Sequence, residues 1–209
     1  MVAKPGARTL ERLHSLLGVL PLGGFLLLHL TRLWPARAGR DAFIAARLER
    51  GGAGDAPAWT GALLFMLLLH GGLGFYLRRG RRGAMGALQA ATGIAAALFI
   101  GYHLWLIAPF AQGPHRGPGS GYDIMWLRLS TDRDLLLHLG GLTLLCFHLG
   151  HGLSRLPRTW FSAVAGAGGS GDAQAATTRA RLAAGAVAFV LWLGYLELLA
   201  RFGTGAGLL

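Results

Sequence analysis

Cysteine, lysine and asparagine are almost missing from this 209-residue sequence, which has one cysteine, one lysine and no asparagine. The lone Cys146 excludes a disulfide framework and a cysteine-ligated iron–sulfur cluster within the chain. Acidic side chains are also few, since nine Asp and Glu stand against 20 Lys and Arg. No basic stretch is interleaved with stacking aromatics, so we expect no nucleic-acid partner. The arginines instead suit lipid head groups or a docked subunit.

Long apolar runs dominate what is present. Hydrophobic residues make up 53% of the chain, charged residues 14%, and the mean hydropathy is +0.47. Five stretches have about the 20 residues that a helix needs to cross the hydrocarbon core of a bilayer. We predict an all-α integral membrane bundle that forms one domain over residues 1–209, with spans at about 13–30, 59–77, 84–110, 135–153 and 182–200.

The connections between the spans predict further features. Residues 41–50 alternate apolar and charged side chains, which indicates a short helix on the membrane surface. Residues 112–121 are predicted as a loop and residues 163–178 as a linker of small residues. Eleven Lys and Arg flank the spans on the side of the N-terminus and nine on the other side. This difference favours a multi-pass orientation with the N-terminus in the cytoplasm and the C-terminus outside.

Four histidines, His29, His70, His103 and His148, fall one to each of the first four spans. An imidazole in hydrocarbon is costly unless it has a partner, so these histidines are candidate ligands. Because consecutive spans run in opposite directions and a helix rises 1.5 Å per residue, His29 and His103 share an outer level and His70 and His148 an inner one, on the order of 15 Å away. Neutral imidazole is a good axial ligand for iron, so we predict two haems, each between two histidines, in the first four helices.

Other ionisable residues in the spans leave alternatives open. His138 lies at the outer level and competes with His29 or His103 for that iron, and His151, one turn after His148, is a substitute for it. Glu197 is the only carboxylate in the five spans. It either serves a proton route or extends toward the outer edge beside Arg201.

The side chains one turn before the four histidines are Phe25, Met66, Phe99 and Leu144, and none of them accepts a hydrogen bond. We therefore expect the second ring nitrogen of each histidine to find a helix carbonyl, a water or a neighbouring helix.

Four sequence motifs resemble the cytochrome b558 subunits of succinate dehydrogenase and fumarate reductase, in the single-chain, five-helix, two-haem form. The first and most specific motif is RLHSLLGVLPLGGFLLLHLT, which begins at Arg12. The others are LLLHGGLGFYL around His70, GYHLW at His103 and CFHLGHGL around His148. The likeness covers four of the five predicted helices.

The resemblance implies a role as well as a fold. Such subunits anchor a flavoprotein and an iron–sulfur protein on the cytoplasmic side of the bacterial inner membrane and pass electrons between them and a quinone, commonly menaquinone. The cofactors would be two haem b groups, and the whole complex can form a higher oligomer. His70 and His148 would hold the haem proximal to the iron–sulfur subunit, and His29 and His103 the distal haem.

Further site residues are implied by position in the motifs. Arg12, His14 and Ser15 would lie near the proximal haem and support it, and we predict the same role for His151 from its place one turn after His148. Two departures from the family are visible, since members usually have Asn where His151 stands and some have an acidic residue in place of Cys146. For the quinone we predict an outer site with Arg32, Trp34 and Glu49, in the loop after the first span.

Two other classes remain open from the sequence alone. A b-type haem anchor of a hydrogenase or formate dehydrogenase carries electrons in a similar way, but typically places two ligands on one helix. A haem-free transporter would use the histidines as a proton relay, and it would need acidic partners and broken helices. A visible spectrum separates these classes.

Overall fold

The computed structural model of the chain describes residues 5–50, 57–78, 83–112, 120–161 and 170–204, which form helices and contain no strand. Five helical segments are long and apolar enough to cross a membrane, which confirms the predicted fold class. These segments are Thr9–Ala38, Thr60–Arg78, Ala84–Ile107, Asp132–Pro157 and Gln174–Thr204. The α-helices are α1 Pro5–Gly18, α2 Gly24–Leu33, α3 Arg40–Glu49, α4 Pro57–Arg78, α5 Ala84–Gln112, α6 Ser120–Leu129, α7 Asp132–Phe161 and α8 Ser170–Thr204.

The first span contains a widened turn. A π-helical turn, Val19–Gly23, joins α1 to α2, and a 3-10 turn, Trp34–Ala38, follows α2. Pro21 explains the widening, because proline has no backbone N–H and its ring crowds the preceding turn of an α-helix. The chain leaves the span at Gly39, whose φ of 103° lies in the region that only glycine adopts without strain.

Two predicted connections differ from the structure. The stretch predicted as a linker, 163–178, is helical from Ser170 onward, while residues 162–169 lie outside the described residues. The sequence AQAATTRA, residues 173–180, is rich in alanine, the strongest helix former, so the helix begins well before the predicted span 182–200. Helix α6 likewise begins at Ser120, inside the predicted loop 112–121, whereas α3 confirms that the stretch predicted as a short helix is helical.

The helices pack unevenly around the core. The most extensive contact is that of α7 with α8, followed by α5 with α7 and α1 with α4, whereas α4 and α5 touch only slightly. Helices α7 and α8 approach each other closely at Gly150, since a Cβ there would lie 2.9 Å from the Cβ of Ala188. In the 18-residue apolar stretch that marks α4 as a span, no residue is buried inside the protein. In the corresponding stretch of α8, 39% of the residues are buried. Helix α4 is thus the most weakly packed of the five spans.

Helices α3 and α6 pack together at the end of the bundle where α8 finishes. The ring of Tyr122 lies 5.9 Å from Phe43 and 5.1 Å from Phe202, between ring centroids. The exposed Arg40 donates two hydrogen bonds to Asp123, of 2.7 and 3.0 Å. The hydrogen bond from Arg40 lowers the pKa of Asp123 below its ordinary value. These contacts join α3, α6 and α8 into one layer.

Candidate functional site

The structure brings together the histidines of each predicted pair. His70 of α4 faces His148 of α7 with ring centroids 6.1 Å apart and ring planes at 88°. His29 of α2 faces His103 of α5 at 6.3 Å and 82°. Each of the first four spans contributes one ring, so each pair joins two different spans.

His148 is oriented by the polar residues of α5. Its Nδ1 lies 3.1 Å from the carbonyl oxygen of Gln89 and 3.3 Å from Oγ1 of Thr92. A carbonyl only accepts, so Nδ1 carries the proton and Nε2 is left with a free lone pair. A Cβ on Gly93 would lie 2.9 Å from Cε1 of the ring. The ring therefore rests directly on the backbone of α5.

His70 and His14 form a reciprocal pair between α4 and α1. Nδ1 of His70 lies 2.9 Å from the carbonyl oxygen of His14, and Nδ1 of His14 lies 3.1 Å from the carbonyl oxygen of His70. The two rings stack at 4.1 Å with an angle of 4° between them. Each ring lies against a glycine four residues after the other histidine, Gly18 for His70 and Gly74 for His14. Because the carbonyl of His14 only accepts, Nδ1 of His70 carries the proton and Nε2 keeps the free lone pair.

His103 takes its support from a third histidine. Its Nδ1 lies 3.2 Å from Nε2 of His138, whose own Nδ1 lies 2.7 Å from the carbonyl oxygen of Asp134. His138 therefore contacts Nδ1 of His103. This leaves Nε2 of His103 available to a metal. This geometry favours a supporting role for His138 over competition for the same iron. The fourth ring, His29, stacks on Phe25 at 5.1 Å.

The two histidine levels are separated along α7. His138 marks the level of His103, and His148, ten residues later in the sequence, faces His70. At 1.5 Å per residue the levels are about 15 Å apart along the helix.

Three of the residues predicted to support haem, Arg12, Ser15 and His151, lie toward one end of the bundle. Arg12 reaches the carbonyl oxygens at the end of α7, at 3.3 Å for Thr159 and 3.5 Å for Trp160, and its guanidinium lies over the Trp160 ring. Ser15 donates 2.9 Å to the carbonyl of Glu11 in its own helix. Nε2 of His151 is buried and has no hydrogen-bond partner among the described residues.

The three predicted quinone residues are not among those that line the cavity described at this end of the bundle. The carbonyl of Arg32 accepts from Arg50 at 3.2 Å, the ring of Trp34 lies 4.4 Å below the guanidinium of Arg37, and Glu49 is exposed. A cavity of about 190 Å³ at this end is instead lined by other residues, among them Arg37, Tyr122, Trp126 and Arg201.

Glu197 lies beside that cavity with 1% of its side chain exposed. Its Oε1 is 3.2 Å from Nε of Arg37 and 3.8 Å from Nε of Arg201. The sequence suggested the contact with Arg201, and the structure adds Arg37. The carboxylate therefore ties the 3-10 turn to the end of α8.

Sequence reasoning missed the residues that orient the rings. Gln89 and Thr92 stand three residues apart in a stretch that is otherwise apolar, and this isolated polar pair was the available signal. The repeated spacing of a histidine with a glycine four residues later, at 14 and 18 and at 70 and 74, was a second one. Neither signal tells which helix will be the neighbour.

The five apolar helices define a multi-pass membrane protein, and its two facing pairs of histidines match the arrangement that the sequence predicts for a b-type cytochrome. The chain is 31% identical over 161 residues to the succinate dehydrogenase cytochrome b558 subunit of Bacillus subtilis (strain 168), a match that covers 72% of this chain and 78% of the relative. The chain belongs to the family of succinate dehydrogenase cytochrome b558 subunits, as its motifs indicated. No family model and no solved structure matches it.

Proposed function

We propose that this chain carries electrons between an iron–sulfur subunit and membrane quinone, through one haem b held by His70 and His148 and another held by His29 and His103. The observation that supports this proposal is the pair of facing imidazoles at each of two levels. The complex would be a succinate:quinone oxidoreductase, a succinate dehydrogenase or a fumarate reductase, whose succinate site lies in another subunit.

The spacing of the rings fits one iron between each pair. A metal–nitrogen bond of about 2.0 Å on each side, plus about 1.1 Å from the nitrogen to the ring centre, places two ligating imidazoles roughly 6 Å apart. The observed centroid separations are 6.1 and 6.3 Å. Direct stacking gives a shorter distance, as the 4.1 Å between His14 and His70 shows.

The hydrogen bonds fit the same role. Metal-bound histidines usually donate the other ring N–H to a fixed acceptor, which sets the tautomer and the ring plane. Carbonyl oxygens do this for His70 and His148, and His138 does it for His103. The buried, unpartnered Nε2 of His151 and the guanidinium of Arg12 are donors available to haem propionates.

Two histidines per iron leave no open coordination position, so each haem supplies one-electron redox chemistry rather than oxygen binding. The chain's own residues then have three tasks. They hold the imidazole planes, they exclude water with apolar helices, and they keep the two levels about 15 Å apart.

The proposed orientation places the partners. With the N-terminus in the cytoplasm, His70 and His148 lie nearer the cytoplasmic face, where the flavoprotein and iron–sulfur subunits would dock. The quinone, menaquinone in our proposal, would bind toward the other face near Arg32, Trp34 and Glu49. The arginines and aromatic rings of the neighbouring cavity add hydrogen-bond donors and stacking surface there. If substitution of these three residues leaves quinone turnover unchanged, that site is excluded.

The haem assignment is tested by the visible spectrum of the purified full-length protein. We expect two b-type haems per chain, one haem in the double variant His29→Ala, His103→Ala, and one, of different spectrum, in the double variant His70→Ala, His148→Ala. Thr143→Val, on the exposed side of α7, is the control and should keep both. A wild-type protein without a Soret band would overturn the proposal and favour the transporter.

A further inference from the structure

His138 is a buried polar residue that the proposed ligand set does not use. Only 2% of its surface is exposed, and the rings of Phe99 and Tyr102 lie 5.5 and 5.9 Å away. Both of its ring nitrogens are engaged, with the carbonyl of Asp134 and with His103. A histidine in an aromatic enclosure within a membrane helix has a cost, so a specific task is expected of it.

We infer that His138 is a positioning residue for His103, fixing its tautomer and raising its electron density toward the distal iron. The inference rests on the proposed function, because it takes His103 as an iron ligand. It concerns a residue that acts through another and does not touch the metal.

The tautomers of His138 and His103 follow from the chain of hydrogen bonds that begins at the carbonyl of Asp134. The carbonyl of Asp134 can only accept, so Nδ1 of His138 carries its proton. In the neutral ring Nε2 of His138 is then an acceptor, so Nδ1–H of His103 donates to it across 3.2 Å. Nε2 of His103 is consequently the bare nitrogen, on the ring that faces His29. Each ring fixes the protonation of the next.

The acceptor at His103 differs in kind from those at the other level. His70 and His148 donate to carbonyl oxygens, whereas His103 donates to an imidazole nitrogen, a more basic atom. A stronger acceptor makes the donating ring a more basic ligand, which stabilises ferric over ferrous iron. His138 should therefore lower the potential of the distal haem.

Asp134 keeps this chain of contacts in register. Its carboxylate, 2% exposed, accepts from the hydroxyl of Tyr102 at 2.8 Å and from Nε of Arg133 at 3.1 Å. Tyr102 precedes His103 on α5, so the same bond joins the two helices beside the His103–His138 contact. The first turn of α7 is thereby held where its carbonyl meets His138.

The test is a redox titration of both haems in the purified holo-protein, with the low-spin EPR signals as a second readout. His138→Leu has a similar volume and removes the acceptor. We expect the distal haem of this variant to shift to higher potential, by roughly tenfold in its oxidised-to-reduced ratio, which is about 59 mV for one electron. The proximal haem should not move. His138→Gln, whose amide oxygen can accept from His103, should recover at least half of the shift.

Thr143→Val, a loss of a polar group one and a half turns along the same helix, is the matched control and should leave both potentials unchanged. Equal shifts in the Leu and Gln variants, or none in the Leu variant, would overturn the inference and leave His138 a packing residue. A wild type that lacks the distal haem would overturn the proposed function, and the inference with it. If the wild type holds both haems and the potential of its distal haem is the same in His138→Leu, the inference alone would be overturned.

Discussion

The imidazoles of the His70–His148 pair lie against glycines of neighbouring helices. A Cβ at Gly93 would approach the His148 ring to 2.9 Å, and one at Gly18 would overlap the His70 ring. Each ring is also bound through Nδ1 to a backbone carbonyl, so it cannot move aside without losing that bond. Glycine is therefore required here for close approach and not for an unusual backbone conformation.

Gly18→Ala should destabilise the protein and weaken haem binding at the His70–His148 level. Alanine gains up to about 1 kcal/mol in helix propensity, but overpacking against a fixed ring costs typically about 1–3 kcal/mol. Thermal unfolding in detergent and the haem content of the purified protein measure both effects.

Gly185→Ala is the control, because a Cβ there has no neighbour within 4 Å. It should keep both haems and be as stable as the wild type or slightly more stable. A Gly18→Ala protein with normal stability and two haems would contradict the close contact.

Among the elements, the 3-10 turn and the end of α8 are joined by an ion pair between Arg37 and Glu197, whose two side chains differ in burial. The Glu197 side chain is 1% exposed, whereas the side chain of Arg37 is 30% exposed. Removal of Arg37 leaves the buried carboxylate with the more distant Arg201, at 3.8 Å, and so with weaker compensation of its charge, whereas a partly exposed arginine that loses its partner remains solvated.

Arg37→Gln should therefore cost more than Glu197→Gln. We expect a loss approaching about 3 kcal/mol for the first and about 1 kcal/mol for the second, whose amide still accepts a hydrogen bond. Denaturant unfolding of the two variants measures the difference, and the double variant should resemble Glu197→Gln. Equal losses in the two single variants would show that the carboxylate does not depend on Arg37.

The sequence predicted the elements that depend on hydropathy and missed those that depend on helix rotation. The five spans and the histidine pairs follow from apolar length and the rise per residue. The start of α8 at Ser170 was missed because hydropathy marks the part of a helix that touches hydrocarbon, not its ends. The stack of His14 on His70 and the link from His138 to His103 depend on which faces meet, and sequence spacing alone does not set that.

For the molecule as a whole, the weak packing of α4 identifies the part most dependent on a bound cofactor. Its 18-residue apolar stretch has no buried residue, and the helix contacts α1 much more than α5. In the proposed holo-protein, haem fills the space between α4 and the other helices. Haem that binds the native state and not the unfolded state then stabilises the native state, and in particular the contact of α4 with the other helices.

Haem-free protein should accordingly show faster amide exchange in α4 than haem-loaded protein. A ligand present at 100 times its Kd contributes about 2.7 kcal/mol, which corresponds to roughly 100-fold slower exchange through a local opening of α4 that releases the haem. Helix α8, packed along α7, serves as the internal control and should respond less. Mass-spectrometric hydrogen exchange with and without haem measures this, and equal protection of α4 in both forms would contradict it.

The π-helical turn at Val19–Gly23 sets the angular phase between the two ends of the first span. An α-helix rotates about 100° per residue, and a π-turn accommodates one residue more than a regular turn. Deleting one residue from this stretch would swing His14 and Gly18 away from His70 while His29 kept its place opposite His103. A change that leaves the hydrophobicity of the span untouched would thus uncouple the two levels of the bundle.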